Sequence, residues 1–185
     1  MSCEDILSDH SEESEIINPA DWAELHNPTN ESIAIGSWEF KDGNDTHVFI
    51  IPENQVLESG AYLVLCKDSL AFNDNFPNVS NFIGEFDFGL NGGGELVRLF
   101  DAGELQVDEV NYDDSSPWPL EPDGNGPTLE LIHPSLDNDL GVNWATSDNN
   151  GGTPGVVNSV YTADSSNSLV SGIVINEINY NSADE

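Results

Sequence analysis

GIVINEINYN, residues 172–181, is the stretch that decides the fold. Its β-branched, apolar-rich composition reads as a sheet strand. Strict alternation puts Ile173, Ile175 and Glu177 on one face and Val174, Asn176 and Ile178 on the other. It is the least interrupted strand signal in the chain, yet it follows a Ser/Asn/Asp-rich spacer of the kind that ends a domain. A strand in that position needs a sheet to enter. The candidates are its own sheet, the sheet of a following copy of the domain, and the sheet of a neighbouring molecule.

The rest of the chain supplies the sheet. Its 185 residues, 37% of them hydrophobic, suit one globular domain with a tail. Turn-punctuated strand patterns run over 21–27, 32–40, 47–51, 61–66, 81–84, 86–89, 95–100, 105–112 and 128–132. In 21–27, Trp22, Glu24 and His26 alternate with Ala23 and Leu25. In 32–40 the run breaks at Gly36, which predicts a bulge or bend. Asp42-Gly43 predicts the hairpin into 47–51, and the nearly continuous apolar run at 61–66 predicts a strand buried on both faces. Residues 68–76 predict a short helix over one end of a sandwich, and 143–154 read as closing turns. Such regular punctuation indicates an all-β antiparallel sandwich or barrel. The domain reading is an acidic arm at 1–20, a sandwich at 21–158, a spacer at 159–171 and the terminal strand at 172–185.

Charge narrows the partners. Three Lys plus Arg against 35 Asp plus Glu give a formal net charge of −32, which repels nucleic acid and anionic membranes. No apolar run is long enough to span a membrane. Acidity on this scale fits an extracellular or cell-surface setting, where salt and Ca²⁺ screen carboxylates. Cys3 and Cys66 leave a disulfide and a buried thiol both open. Sequons at Asn30, Asn44 and Asn78 are expected by chance in so Asn-rich a chain.

Catalytic patterns do not emerge. His10, His26, His47 and His133 lack metal-ligand spacing, and no Ser sits in a G-x-S-x-G elbow, so the chain reads as a non-enzyme. The best cation candidate is the loop carrying Asp113, Asp114, Asp123 and Asn125, whose hard oxygens suit Ca²⁺. It lacks the EF-hand pattern, and ordinary Asp-Gly turn chemistry competes with that reading. Trp22, Trp38, Trp118 and Trp144 are weighed as sugar-stacking rings against core anchors, with Trp118 expected to seek a packing surface. Phe72, Phe76, Phe82, Phe86 and Phe88 read as core.

Taken in order, the motifs resemble the lamin tail domain family, in particular its bacterial extracellular branch. They are DWAELHNPTNESI at 21–33, GSWEF at 36–40, GAYLVLC at 60–66, GGGELVRLFD at 92–101, VDEVNYDD at 107–114, PWPLEPDGNGPTLELI at 117–132, and NWATS with GGTPGVVN within 143–158. IVINEINYN at 173–181 completes the set. The resemblance implies an immunoglobulin-like antiparallel β-sandwich. In the family the INEI-type strand comes first, directly ahead of the DWxEL strand, whereas here it comes last. If the two pair as in the family, Glu24 and Glu177 lie near each other and share a cation or a hydrogen bond.

The displaced strand carries the functional reading. Ile173, Val174, Ile175, Ile178 and Tyr180 are the residues expected to dock it, and a 13-residue spacer spans about 40 Å when extended. The strand therefore reaches its own sandwich or a neighbour's. The leading expectation is a non-catalytic extracellular structural module, linked to copies of itself, head-to-tail or in tandem, by β-strand addition. The alternative is a Ca²⁺-dependent adhesion or carbohydrate-binding accessory module of a larger secreted protein, with a glycan as partner.

Overall fold

Period-two alternation builds the first strand. In the computed structural model, which describes residues 19–163 and 172–180, β1 (Trp22–His26) turns Ala23 and Leu25 into the main core and Trp22, Glu24 and His26 to the opposite face. Among the described residues there follow β2 (Ile33–Ala34), β3 (Glu39–Lys41), β4 (Phe49–Ile50), β5 (Val56–Leu57), β6 (Tyr62–Cys66), α1 (Ser69–Asn75), β7 (Phe82–Gly84), β8 (Glu95–Phe100), β9 (Gln106–Tyr112), β10 (Pro127–Leu131), β11 (Trp144–Asn150) and β12 (Val174–Asn179). One sheet runs β11-β10-β12-β1-β6-β7 and a second runs β4-β3-β8-β9, while β2 and β5 form a two-stranded ribbon. Every pairing is antiparallel except β6 with β7. Leu25, Leu65, Leu129, Ile175 and Ile178 from the first sheet meet Phe40, Val97, Leu99 and Val110 from the second in one core. The architecture is an all-β, immunoglobulin-like antiparallel sandwich.

The last strand lies inside this chain's own sheet, between β1 and β10. Its alternation differs from the strict pattern. The register passes from Glu24 opposite Glu177 to Leu25 opposite Ile175, so Asn176 is an extra residue in a β-bulge. One inserted residue flips the parity. Ile173, Ile175, Ile178 and Tyr180 therefore all enter the core, and Glu177 moves to the outer face beside Glu24.

Other departures have local causes. The 32–40 run is two short strands in different sheets, because a Cβ on Gly36 would stand 2.8 Å from the Asn54 amide and the chain turns there. Residues 86–89 form no strand. Phe86 and Phe88 instead stack at 4.8 Å within the core as the chain leaves β7. Residues read as turns at 143–154 contain the edge strand β11, whose polar outer half needs only one partner, β10. The helix α1, capped by Asp68 accepting from the Leu70 and Ala71 amides, lies on the outer face of the larger sheet rather than over an end. Phe72 there packs on Trp22, Val64 and Cys66.

Residues 1–18, with Cys3 and His10, lie outside the described residues, as do 164–171 and 181–185. Cys66 is a free, buried thiol whose pKa burial pushes up to about 11. Trp118 finds its surface against Gly141 and Trp144, and Trp22 and Trp144 are also buried, which leaves them no open face for a sugar.

Candidate functional site

The outer face of β1 presents three side chains in succession. Trp22 is covered by α1, Glu24 lies beneath residues 151–160, and His26 borders an open cleft. The middle position adjoins the slot that β12 fills.

Across that slot, Glu24 of β1, Glu177 of β12 and Glu130 of β10 stand side by side, because Glu24 is opposite Glu177 and Glu130 is opposite Glu177. All three are fully buried. Burying carboxylates is costly unless donors meet them, and the segment that follows β11 supplies the donors. The Gly155 amide donates to Glu24 Oε2, the Thr153 amide to Glu177 Oε1 at 2.9 Å, and Thr153 Oγ1 to Glu130 Oε1 at 2.7 Å. Ser159 Oγ and the Val160 amide donate to Glu130 Oε2 at 2.7 and 3.1 Å. From the strands themselves, Asn176 Nδ2 donates to Glu24 Oε1 at 3.0 Å and Thr128 Oγ1 to Glu177 Oε1 at 2.6 Å.

One oxygen of the row, Glu177 Oε2, is buried with no hydrogen-bond partner. Burial first, then the facing Glu24 and Glu130 charges, holds the Glu177 carboxyl well above its ordinary value of 4.5. Burial raises Glu24 as well. Glu24 and Glu177 thus hold protons in the folded state rather than behaving as exposed acids. Gly152 makes the close cover possible. It sits at φ +71°, and a Cβ there would stand 1.8 Å from Glu177 Oε1.

Latches hold both ends of β12. Asp108 of β9 accepts from the Ile175 amide at 2.6 Å and from Asn138 Nδ2 at 2.8 Å, tying the strand to the opposite sheet. Asn158 Nδ2 bridges the Leu131 and Asn176 carbonyls. At the far end Tyr180 stacks on Tyr112 at 4.6 Å, and Asn179 Nδ2 donates to the Ala20 carbonyl.

Of the residues expected to dock the strand, Ile173, Ile175, Ile178 and Tyr180 are buried in the core, and Val174 packs against it half-buried. Glu24 and Glu177 are brought together. Asp113, Asp114 and Asp123 fall near the end of β12, where burial and then their charges raise the Tyr180 hydroxyl's pKa. Their loop is occupied with turn chemistry: Asp113 Oδ1 accepts from the Ser115 amide and hydroxyl, and Asn125 Nδ2 donates to the Asp123 carbonyl. Among the described residues, no group of three or more His, Cys, Asp or Glu is placed to hold a metal ion.

Sequence reasoning missed Glu130, Asp108 and the covering segment. A signal existed for Glu130, a carboxylate between two leucines in TLEL, where alternation gives it the face opposite the core. The covering role of GGTPGVVN had no local signal, since its partners lie on three strands distant in sequence.

The family model described as Lamin Tail Domain matches residues 4–114, which end just past β9. No curated protein matches the chain.

Proposed function

The chain belongs to the lamin tail domain family, one of non-catalytic immunoglobulin-like structural domains, and from that premise we propose that it is a building unit of an extracellular surface array joined by exchange of β12 between copies. One observation carries the reading. The last strand is an inner strand of the larger sheet, flanked by β1 and β10, although 23 residues separate its first residue from the end of β11. The slot presents the same ladder to this strand from its own chain or from a neighbour's, so closure and exchange differ mainly in connection. Main-chain hydrogen bonds give the link its ladder, and each buried Ile adds about 1.5–3 kcal/mol before ordering costs.

The order of motifs supports the displaced-strand reading, with IVINEINYN as the family's first strand carried at the end of the chain. The net charge of −32 suits a surface bathed in salt and divalent cations. Light scattering and electron microscopy of the chain, before and after refolding at high concentration, test the exchange. Head-to-tail oligomers that mix subunits from two tagged populations are expected. A chain that stays monomeric after refolding at every concentration overturns exchange.

A further inference from the structure

The third position on β1 opens onto a cleft that the strand slot does not use. It encloses about 610 Å³, within the range of small-molecule sites. Two pairs of rings line it. His26 stacks on its cross-strand partner Tyr62 at 4.2 Å and 9°, and His133, just beyond β10, lies 5.2 Å from Tyr161 at 31°. Tyr161 is held in place by its amide, which donates to the Asn158 carbonyl, and by the Thr162 amide, which donates to the Ile132 carbonyl. Pro28, Thr29, Asn30, Gly60, Pro134 and Val157 complete the lining.

The chemistry of this lining selects a ligand. In a chain with 35 acidic residues, the cleft has no carboxylate and no Lys or Arg among the described residues that line it. A hydrated metal ion finds no oxygen cage there, and an anion faces a protein of net charge −32. An organic cation with methylated nitrogen is different. It is drawn in by the same long-range field, sheds water at little cost, and is stabilised by the faces of neutral rings.

His26 is suited to that task. It is 8% exposed, and its Nδ1 is buried without a hydrogen-bond partner. Burial first, then His133, lowers its pKa to about 4, so the ring is neutral where a charged imidazole would repel a cation. His133 Nδ1 accepts from the Ser135 amide at 3.1 Å, which places the proton of its neutral form on Nε2. The His26 imidazole thus acts as an uncharged ring surface.

We propose that the cleft between the His26–Tyr62 and His133–Tyr161 ring pairs is a binding site for a small quaternary ammonium ligand, a methylated ammonium head carried on a short polar stem. The volume exceeds that of the head alone, and Asn30 at the rim offers the stem a hydrogen-bonding group.

The test is titration of the intact chain with choline and tetramethylammonium, followed by calorimetry and by chemical shifts of the four rings. The uncharged isostere 3,3-dimethylbutan-1-ol and simple sugars serve as comparisons. Choline is expected to bind saturably, at least ~10-fold tighter than the isostere. Tyr161→Ala, at a ring 46% exposed and so removable without unfolding the domain, should weaken binding at least ~5-fold. Tyr161→Phe should retain it. Equal affinity for the isostere overturns the proposal, as does a sugar that binds the rings more tightly. Choline shifts that spread over the acidic surface and survive Tyr161→Ala also overturn it, since they mean general attraction alone.

Discussion

Two acid-rich regions of this molecule behave in opposite ways. The loop with Asp113, Asp114, Asp123 and Asn125 concentrates carboxylates in sequence and spends Asp113 on a turn, where hydrogen bonds from Ser115 lower that residue's pKa. Glu24, Glu130 and Glu177 are scattered over more than 150 residues, yet strand register sets them in one buried row. In a chain this acidic, clustering along the sequence reports local turn chemistry. Pairing across strands reports which carboxylates bear on the fold.

The largest expected effect comes from removing the row's central member with its strand. Deleting 172–185 leaves β10 and β11 without a bridge to β1, so thermal unfolding should lose its cooperative transition. A folded, monomeric deletion would break the contrast, because the loop would then matter as much as the row.

Gly152→Ala is next. A Cβ 1.8 Å from Glu177 Oε1 and 2.3 Å from Thr128 Oγ1 must displace the cover, and φ +71° adds strain, so urea denaturation should show a loss of more than about 2 kcal/mol.

The pH dependence sharpens the contrast further. Glu24, pushed up to about 8, and Glu177, held well above 4.5, keep protons in the folded state that the unfolded chain loses near 4.5. The folded state binds more protons across that window. Stability therefore falls as pH rises from about 4.5 through 8. Asp108, raised to about 6 by burial, adds to the same slope at its lower end. His26 opposes it, because its pKa of about 4 lies below the ordinary 6.5, so its contribution is lost as pH falls through that interval. Above 6.5 the carboxyl slope stands alone among these groups. Glu177→Gln, the neutral isostere, should make it shallower and raise stability at alkaline pH, with Glu24 keeping the remainder of the slope, read from denaturation curves across the range.

The smallest effect belongs to the loop. Asp113→Asn should move the urea midpoint little and leave its slope between pH 4.5 and 8 unchanged, because the lowered Asp113 pKa acts only below the ordinary 3.8, and a clear shift in that window would show that the loop shares the row's role.

Much of this contrast was legible in the chain. Trp22, Glu24 and His26 alternate with Ala23 and Leu25, and that pattern gave β1 its two faces, because period-two alternation is local. The continuous apolar run at 61–66 identified β6, since a strand covered on both faces loses its alternation, and the motif order pointed to the family that the match over 4–114 establishes. The row itself was half visible, as Glu24 beside Glu177. Glu130 stayed hidden because β10 meets β12 across more than 40 intervening residues. The edge strand β11 was lost in WATSDNN, whose polar residues resemble a turn when only one side of the strand is paired. The bulge at Asn176 leaves no mark in composition at all.

That bulge also reconciles the spacing of this strand's isoleucines with the spacing of the strand beside it. The inward positions Ile175 and Ile178 are three apart rather than two, matched to the Ala23 and Leu25 pair on β1. Paired from Ile175 opposite Leu25 without the extra residue, the same sequence would set Glu177 opposite Ala23, inside the core. One inserted residue thus converts a three-residue spacing of isoleucines into a two-residue spacing of contacts, and sends the one carboxylate between them outward to Glu24.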